Sequence, residues 1–81
     1  MDRTDEQKTI DYKNMVSSVT VINNLIAGDV NGIYDMTEAR RKEKVATNYA
    51  SLEVVKAYDD WTDEDMTAIN KAITDGKAFV G

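Results

Sequence analysis

Apolar residues recur along this chain at three- and four-residue steps, the repeat of one helix face, in three segments separated by two polar breaks. The first segment runs from about Thr4 to Ala27. Within it Tyr12, Met15, Val19, Ile22 and Ile26 fall on one stripe, and Val16 widens it. Val21 and Leu25 lie off the stripe, on a second edge of the same helix. A helix with two apolar edges is expected to sit between two neighbours in a bundle, or to keep one face for a partner. Thr4 followed by Gln7 has the spacing of a capping box, and Asp5 and Glu6 place negative charge where the helix dipole favours it.

The second segment starts at Asp35 or Thr37 and reaches about Tyr58. Asp35 and Glu38 have the spacing of an N-cap and its third-position partner. Val45, Tyr49 and Leu52 mark the core face, with Ala46 and Val55 beside them. Val54, Ala57 and Tyr58 broaden the apolar surface near the end, which suits either deeper burial or a contact patch. In the third segment Thr62 is the expected N-cap, followed by Asp63, Glu64 and Asp65 in the first turn. Trp61 and Met66 have the spacing of a hydrophobic staple, and Met66, Ile69 and Ile73 form the inward face. Gly76 is expected to end this helix at about Asp75, with Phe79 and Val80 folding back onto the core.

The pattern predicts an all-α fold, a small three-helix bundle forming a single domain over 1–81, with helices at about 4–27, 36–58 and 62–75. Gly28-Asp29-Val30-Asn31-Gly32 supplies the first break, with Gly28 suited to a helix C-terminus. An alternative attaches to the same region. Val16 to Ile26 is rich in β-branched residues, and Asn31-Gly32 is a hairpin-type dipeptide. An α+β fold would then run a strand from about Val19 to Ala27 and return through Ile33 and Tyr34. The helix is preferred because its stripe persists over four turns.

Composition narrows the chemistry. In 81 residues there is no Cys and no His, which removes thiol nucleophiles, disulfides, imidazole bases and most transition-metal sites. Fifteen acidic against ten basic residues give a formal charge of −5, which disfavours direct binding to nucleic acid. No apolar run approaches a membrane span, and the charged start, Met1-Asp2-Arg3-Thr4-Asp5-Glu6, has no secretory character. A cytoplasmic protein is expected.

Three features could carry function. The acidic patch of Asp59, Asp60, Asp63, Glu64 and Asp65 offers oxygen ligands for hard cations, but carboxylates in one helical turn fan outward and do not converge. No metal is expected, and no cofactor. Asp29-Val30-Asn31-Gly32 begins like a calcium loop but departs from that pattern at Ile33, Tyr34 and Arg40. The basic run of Arg40, Arg41, Lys42 and Lys44 opposes the dipole at a helix start, and such breaks of local rules tend to mark function. The expected partner-binding residues are Arg40, Arg41, Lys44, Val21, Leu25, Val54 and Tyr58.

These features predict a small acidic non-enzymatic protein-binding module: an adaptor, an inhibitor or an assembly factor acting on another protein. Viruses, phages and mobile elements often encode chains of this kind. Two alternatives are a nucleic-acid mimic that inhibits a DNA- or RNA-binding protein, and a structural subunit of a homo-oligomer.

Overall fold

The structure, a computed structural model, describes residues 3–28 and 37–81. Three helices, α1 (Asp5–Ala27), α2 (Glu38–Val55) and α3 (Asp63–Val80), pack on one another pairwise, with successive helices antiparallel. Each begins with a threonine N-cap in extended backbone. Thr4, Thr37 and Thr62 accept from the amides of Gln7, Arg40 and Asp65 at 3.0, 3.2 and 3.0 Å. Thr62 and Asp65 complete a capping box, since the Asp65 carboxylate accepts from the Thr62 amide at 3.2 Å. These bonds satisfy donors that a helix start leaves without a partner.

The core is built from all three helices. Met15, Ile22 and Leu25 come from α1, Val45 and Leu52 from α2, and Ile69, Ala72 and Ile73 from α3. Ile22, Val45, Leu52 and Ile69 are fully buried. Burial of each such side chain contributes roughly 1.5–3 kcal/mol. Val19, Ile26, Tyr49, Val55, Trp61, Met66, Phe79 and Val80 pack around this centre.

The structure confirms the all-α bundle and corrects four details. The buried stripe of α1 is Asp11, Met15, Ile22 and Leu25, rotated from the expected one. Tyr12 is 49% exposed while Leu25 is only 5% exposed. The expected stripe followed apolar residues alone and so stepped past Asp11, whose buried carboxylate is held by the Arg3 guanidinium and the Gln7 side-chain amide.

The strand alternative fails for Val19 to Ala27, which is helical, and there is no strand among the described residues. Its return through Ile33 and Tyr34, like the calcium-loop comparison at Asp29 to Tyr34, lies outside the described residues. The N-cap of α2 is Thr37, and Asp35 also lies outside the described residues. The same helix stops at Val55, short of Tyr58, and Lys56 to Tyr58 form a turn.

The fourth correction concerns Gly76, which does not end α3. The helix passes through it to Val80, and Phe79 and Val80 reach the core as helical residues. Gly76 is buried against α2, where an added Cβ would stand 3.2 Å from both Tyr49 Cδ2 and Val45 Cγ1. The absent side chain is what lets α3 approach α2 this closely. Gly28, by contrast, ends α1 as expected, with φ of 79° and its amide donating to the Asn24 and Leu25 carbonyls.

Replacing Gly76 by Leu is expected to lower unfolding free energy by about 2 kcal/mol, through overpacking against Val45 and Tyr49. Urea denaturation followed by circular dichroism measures it. The same change at exposed Ala78 is expected to move stability by less than about 0.5 kcal/mol.

Candidate functional site on the α1 and α2 face

The site begins with what holds the helix ends. Arg41, in the second turn of α2, is half-buried. Its Nε donates to the Leu25 carbonyl at 3.1 Å, and its Nη2 donates to the same oxygen. Its guanidinium also lies over the Phe79 ring, 5.2 Å from the centroid. One side chain of α2 thereby caps the C-terminus of α1 and rests on α3. At the opposite end of the bundle Trp61 donates its indole N–H to the Val55 carbonyl at 2.7 Å and closes α2.

A second cluster fixes the start of α1. The Arg3 guanidinium donates to Asp11 and to Asp60, and stacks 3.7 Å from the Tyr58 ring centroid. Asp11 also accepts from the Gln7 side-chain amide at 3.0 Å. Partial desolvation opposes the Arg3 charge. The hydrogen bond to Asp11 and the negative charges of Asp60 and Asp11 outweigh it, and the guanidinium pKa rises above its ordinary value. This cluster ties α1 to the connection between α2 and α3.

Between the two clamps α1 and α2 border an open groove. Asp11, Asn14, Ser17 and Ser18 line it from α1, and Ser51, Val54 and Val55 from α2. The lining mixes small polar side chains with the two valines, and most of its exposed surface is apolar. Exposed apolar side chains stand along it: Val54 at 64%, Val21 at 36% and Ile10 at 46%. Ile10 precedes Asn14 by four residues, and Val21 follows Ser17 by four, so both fall on the groove side of α1. Tyr12 and Val16 are also exposed, but the helical repeat places them on the other flank, across the core stripe.

The expected partner-binding residues therefore separate. Val21, Val54, Arg40 and Lys44 are exposed on the α1 and α2 side. Among the described residues neither Arg40 nor Lys44 joins an ion pair, whereas Lys42 pairs with Glu38 at 3.8 Å. Leu25 is a core residue, so its side chain is not available as a contact. Arg41 is committed to the Leu25 carbonyl, and Tyr58 is half-buried beneath Arg3.

In the acidic patch, Asp60 pairs with Arg3 and Asp65 closes the capping box. Asp59, Asp63 and Glu64 are exposed. Among the described residues no group of three or more acidic side chains is placed to hold a metal ion, and no helix is long and apolar enough to cross a membrane.

Arg3, Asp11 and Gly76 were not singled out by the sequence as interaction sites. Asp11 had a readable signal, for Asp11, Met15, Ser18, Ile22 and Leu25 repeat in alternating steps of four and three. Its partner Arg3 had none, because the pairing depends on the chain turning back at Asp60.

No protein-family model matches the chain, and no curated protein or solved structure matches it.

Arg41→Met is expected to cost about 1 kcal/mol by removing the charged donor from the Leu25 carbonyl, which among the described residues keeps only the longer bond from the Gly28 amide at 3.3 Å. Arg40→Met should change stability by less than about 0.5 kcal/mol. Thermal melts of the two variants against the parent check both, and equal losses would show that Arg41 is not a clamp.

Proposed function

We propose that this chain is a small non-enzymatic protein-binding module, an adaptor, inhibitor or assembly factor, that uses the α1 and α2 face. The observation that carries this reading is the groove just described. Ile10, Val21 and Val54 remain exposed along it, whereas the exposed pair Tyr12 and Val16 on the other flank of α1 borders no such groove among the described residues. Apolar side chains set among small polar ones, with charges at the margin, are what a protein interface presents. A cytoplasmic setting is part of the proposal, in keeping with a cysteine-free sequence.

Imitation of nucleic acid is supported less well. Asp59, Asp63 and Glu64 would suit it, yet Arg40 and Lys44 interrupt the negative field at the other end of the molecule.

The test compares two double variants on immobilised protein. Val21→Asp with Val54→Asp is expected to abolish retention of a stoichiometric partner and leave the melting temperature within a few degrees. Tyr12→Asp with Val16→Asp, on the opposite flank, should retain that partner. Loss of the partner in the second pair alone would move the binding surface to the other side of α1.

A further inference from the structure

The Arg3 cluster divides into a half that the fold holds by other means and a half that only the cluster holds. Asp11 lies within α1, and its Oδ1 accepts from the Gln7 side-chain amide at 3.0 Å. Tyr58 lies in the turn after α2, where its amide donates to the Val55 carbonyl at 3.0 Å. Asp60 stands between that turn and the Thr62 cap, beside Trp61, whose indole donates to the same carbonyl at 2.7 Å. Two carboxylates and one ring face are thus brought together by contacts in which Arg3 has no part.

Arg3 is attached differently. It precedes the N-cap Thr4, whose bond from the Gln7 amide closes the start of α1 without it. Among the described residues its hydrogen bonds are those of its side chain alone: Nη1 donates to Asp11 Oδ2 and Nη2 to Asp60. The guanidinium carbon stands 3.7 Å from the Tyr58 ring centroid. Were Arg3 to leave, Asp11 Oδ2 would lose its donor in a residue only 8% exposed. A shielded carboxylate without a partner is costly, so the site selects for another cation.

The arrangement also selects which cation. Two nitrogens at a fixed separation reach carboxylates from different segments, and the planar carbon between them faces an aromatic ring. A lysine ammonium has donors for both carboxylates, but it is a strongly hydrated point charge with no plane to lay on the ring. Asp11 also lines the α1 and α2 groove, so the site and the groove share a wall.

We infer that Asp11, Asp60 and Tyr58 form a guanidinium-binding site at the end of the groove, which Arg3 fills from within the chain and which an arginine side chain of a bound protein enters in its place. Arg3 is then an intramolecular competitor that weakens binding until a partner supplies both the arginine and the apolar contacts at Ile10, Val21 and Val54. The inference rests on the proposed use of the groove for protein binding, and it names the side chain that the partner contributes.

The experiment titrates the full-length chain with N-acetylargininamide, and separately with N-acetyllysinamide, following backbone amide spectra by nuclear magnetic resonance. The chains compared are the parent, Arg3→Ala and Arg3→Ala/Asp11→Asn. In Arg3→Ala the arginine probe should give saturable shifts at Asp11, Tyr58 and Asp60 with a millimolar Kd. The lysine probe should bind at least roughly tenfold more weakly, and so should the parent, whose own Arg3 competes. Replacing the Asp11 carboxylate should remove the saturable shifts.

If Arg3→Ala loses helix content, the arginine probe and not the lysine probe should restore it by circular dichroism, and failure to restore it would overturn the inference. Absence of saturation up to about 100 mM in a folded Arg3→Ala chain, or equal binding of the two probes, would also overturn it. If that happens while Val21→Asp/Val54→Asp still loses its partner, the binding-module reading stands and the guanidinium site falls.

Discussion

The double hydrogen bond from Arg41 to the Leu25 carbonyl is the contact on which the arrangement of this bundle most depends. It joins the second turn of α2 to the last turn of α1, while the same guanidinium rests on Phe79 of α3. The last carbonyls of a helix need partners, and a cation near them also complements the helix dipole. A charge that looks misplaced at the start of α2 is therefore well placed at the end of α1. With that end fixed, Val45 and Leu52 fall opposite Ile22 and Ile69, and the core closes.

The other end is closed by different chemistry. Arg3 gathers Asp11, Asp60 and Tyr58, and Trp61 covers the Val55 carbonyl. The two clamps, together with the glycine gap at Gly76, set how the three helices meet. They also lay out the charge. Helix starts rich in acid, at Asp5, Glu6, Asp63 and Glu64, share one end of the molecule, and the basic start of α2 lies at the other. Clamping, packing and surface polarity thus follow from one antiparallel order.

Much of this was legible in the sequence. Three helices, the caps at Thr4 and Thr62, the Gly28 terminus and most of the core residues follow from local spacing and capping chemistry. What escaped depends on contacts between segments. Gly76 reads locally as a terminator, and only the approach of Val45 and Tyr49 reveals it as a packing position. Asp11 falls on the repeat of the buried stripe, but the Arg3 partner that lets a carboxylate sit there is visible only once the chain has folded. Arg41 and Arg40 are neighbours of one type, yet one is a clamp and the other is exposed. For the candidate surface, Val21 and Val54 were readable as spare apolar edges, but Leu25 was not separable from them until the stripe of α1 was known to include it.

The central claim is that the proposed α1 and α2 face is the surface at which this protein meets a partner protein. The most direct measurement is the backbone amide spectrum of the labelled chain by nuclear magnetic resonance, alone and with the partner retained on it. The account predicts shifts at Ile10, Asn14, Ser17, Val21, Ser51 and Val54 when the partner is added, with Tyr12, Val16 and the outer positions of α3 unmoved. A spectrum unchanged by the partner, or shifts centred on Tyr12 and Val16, would contradict it.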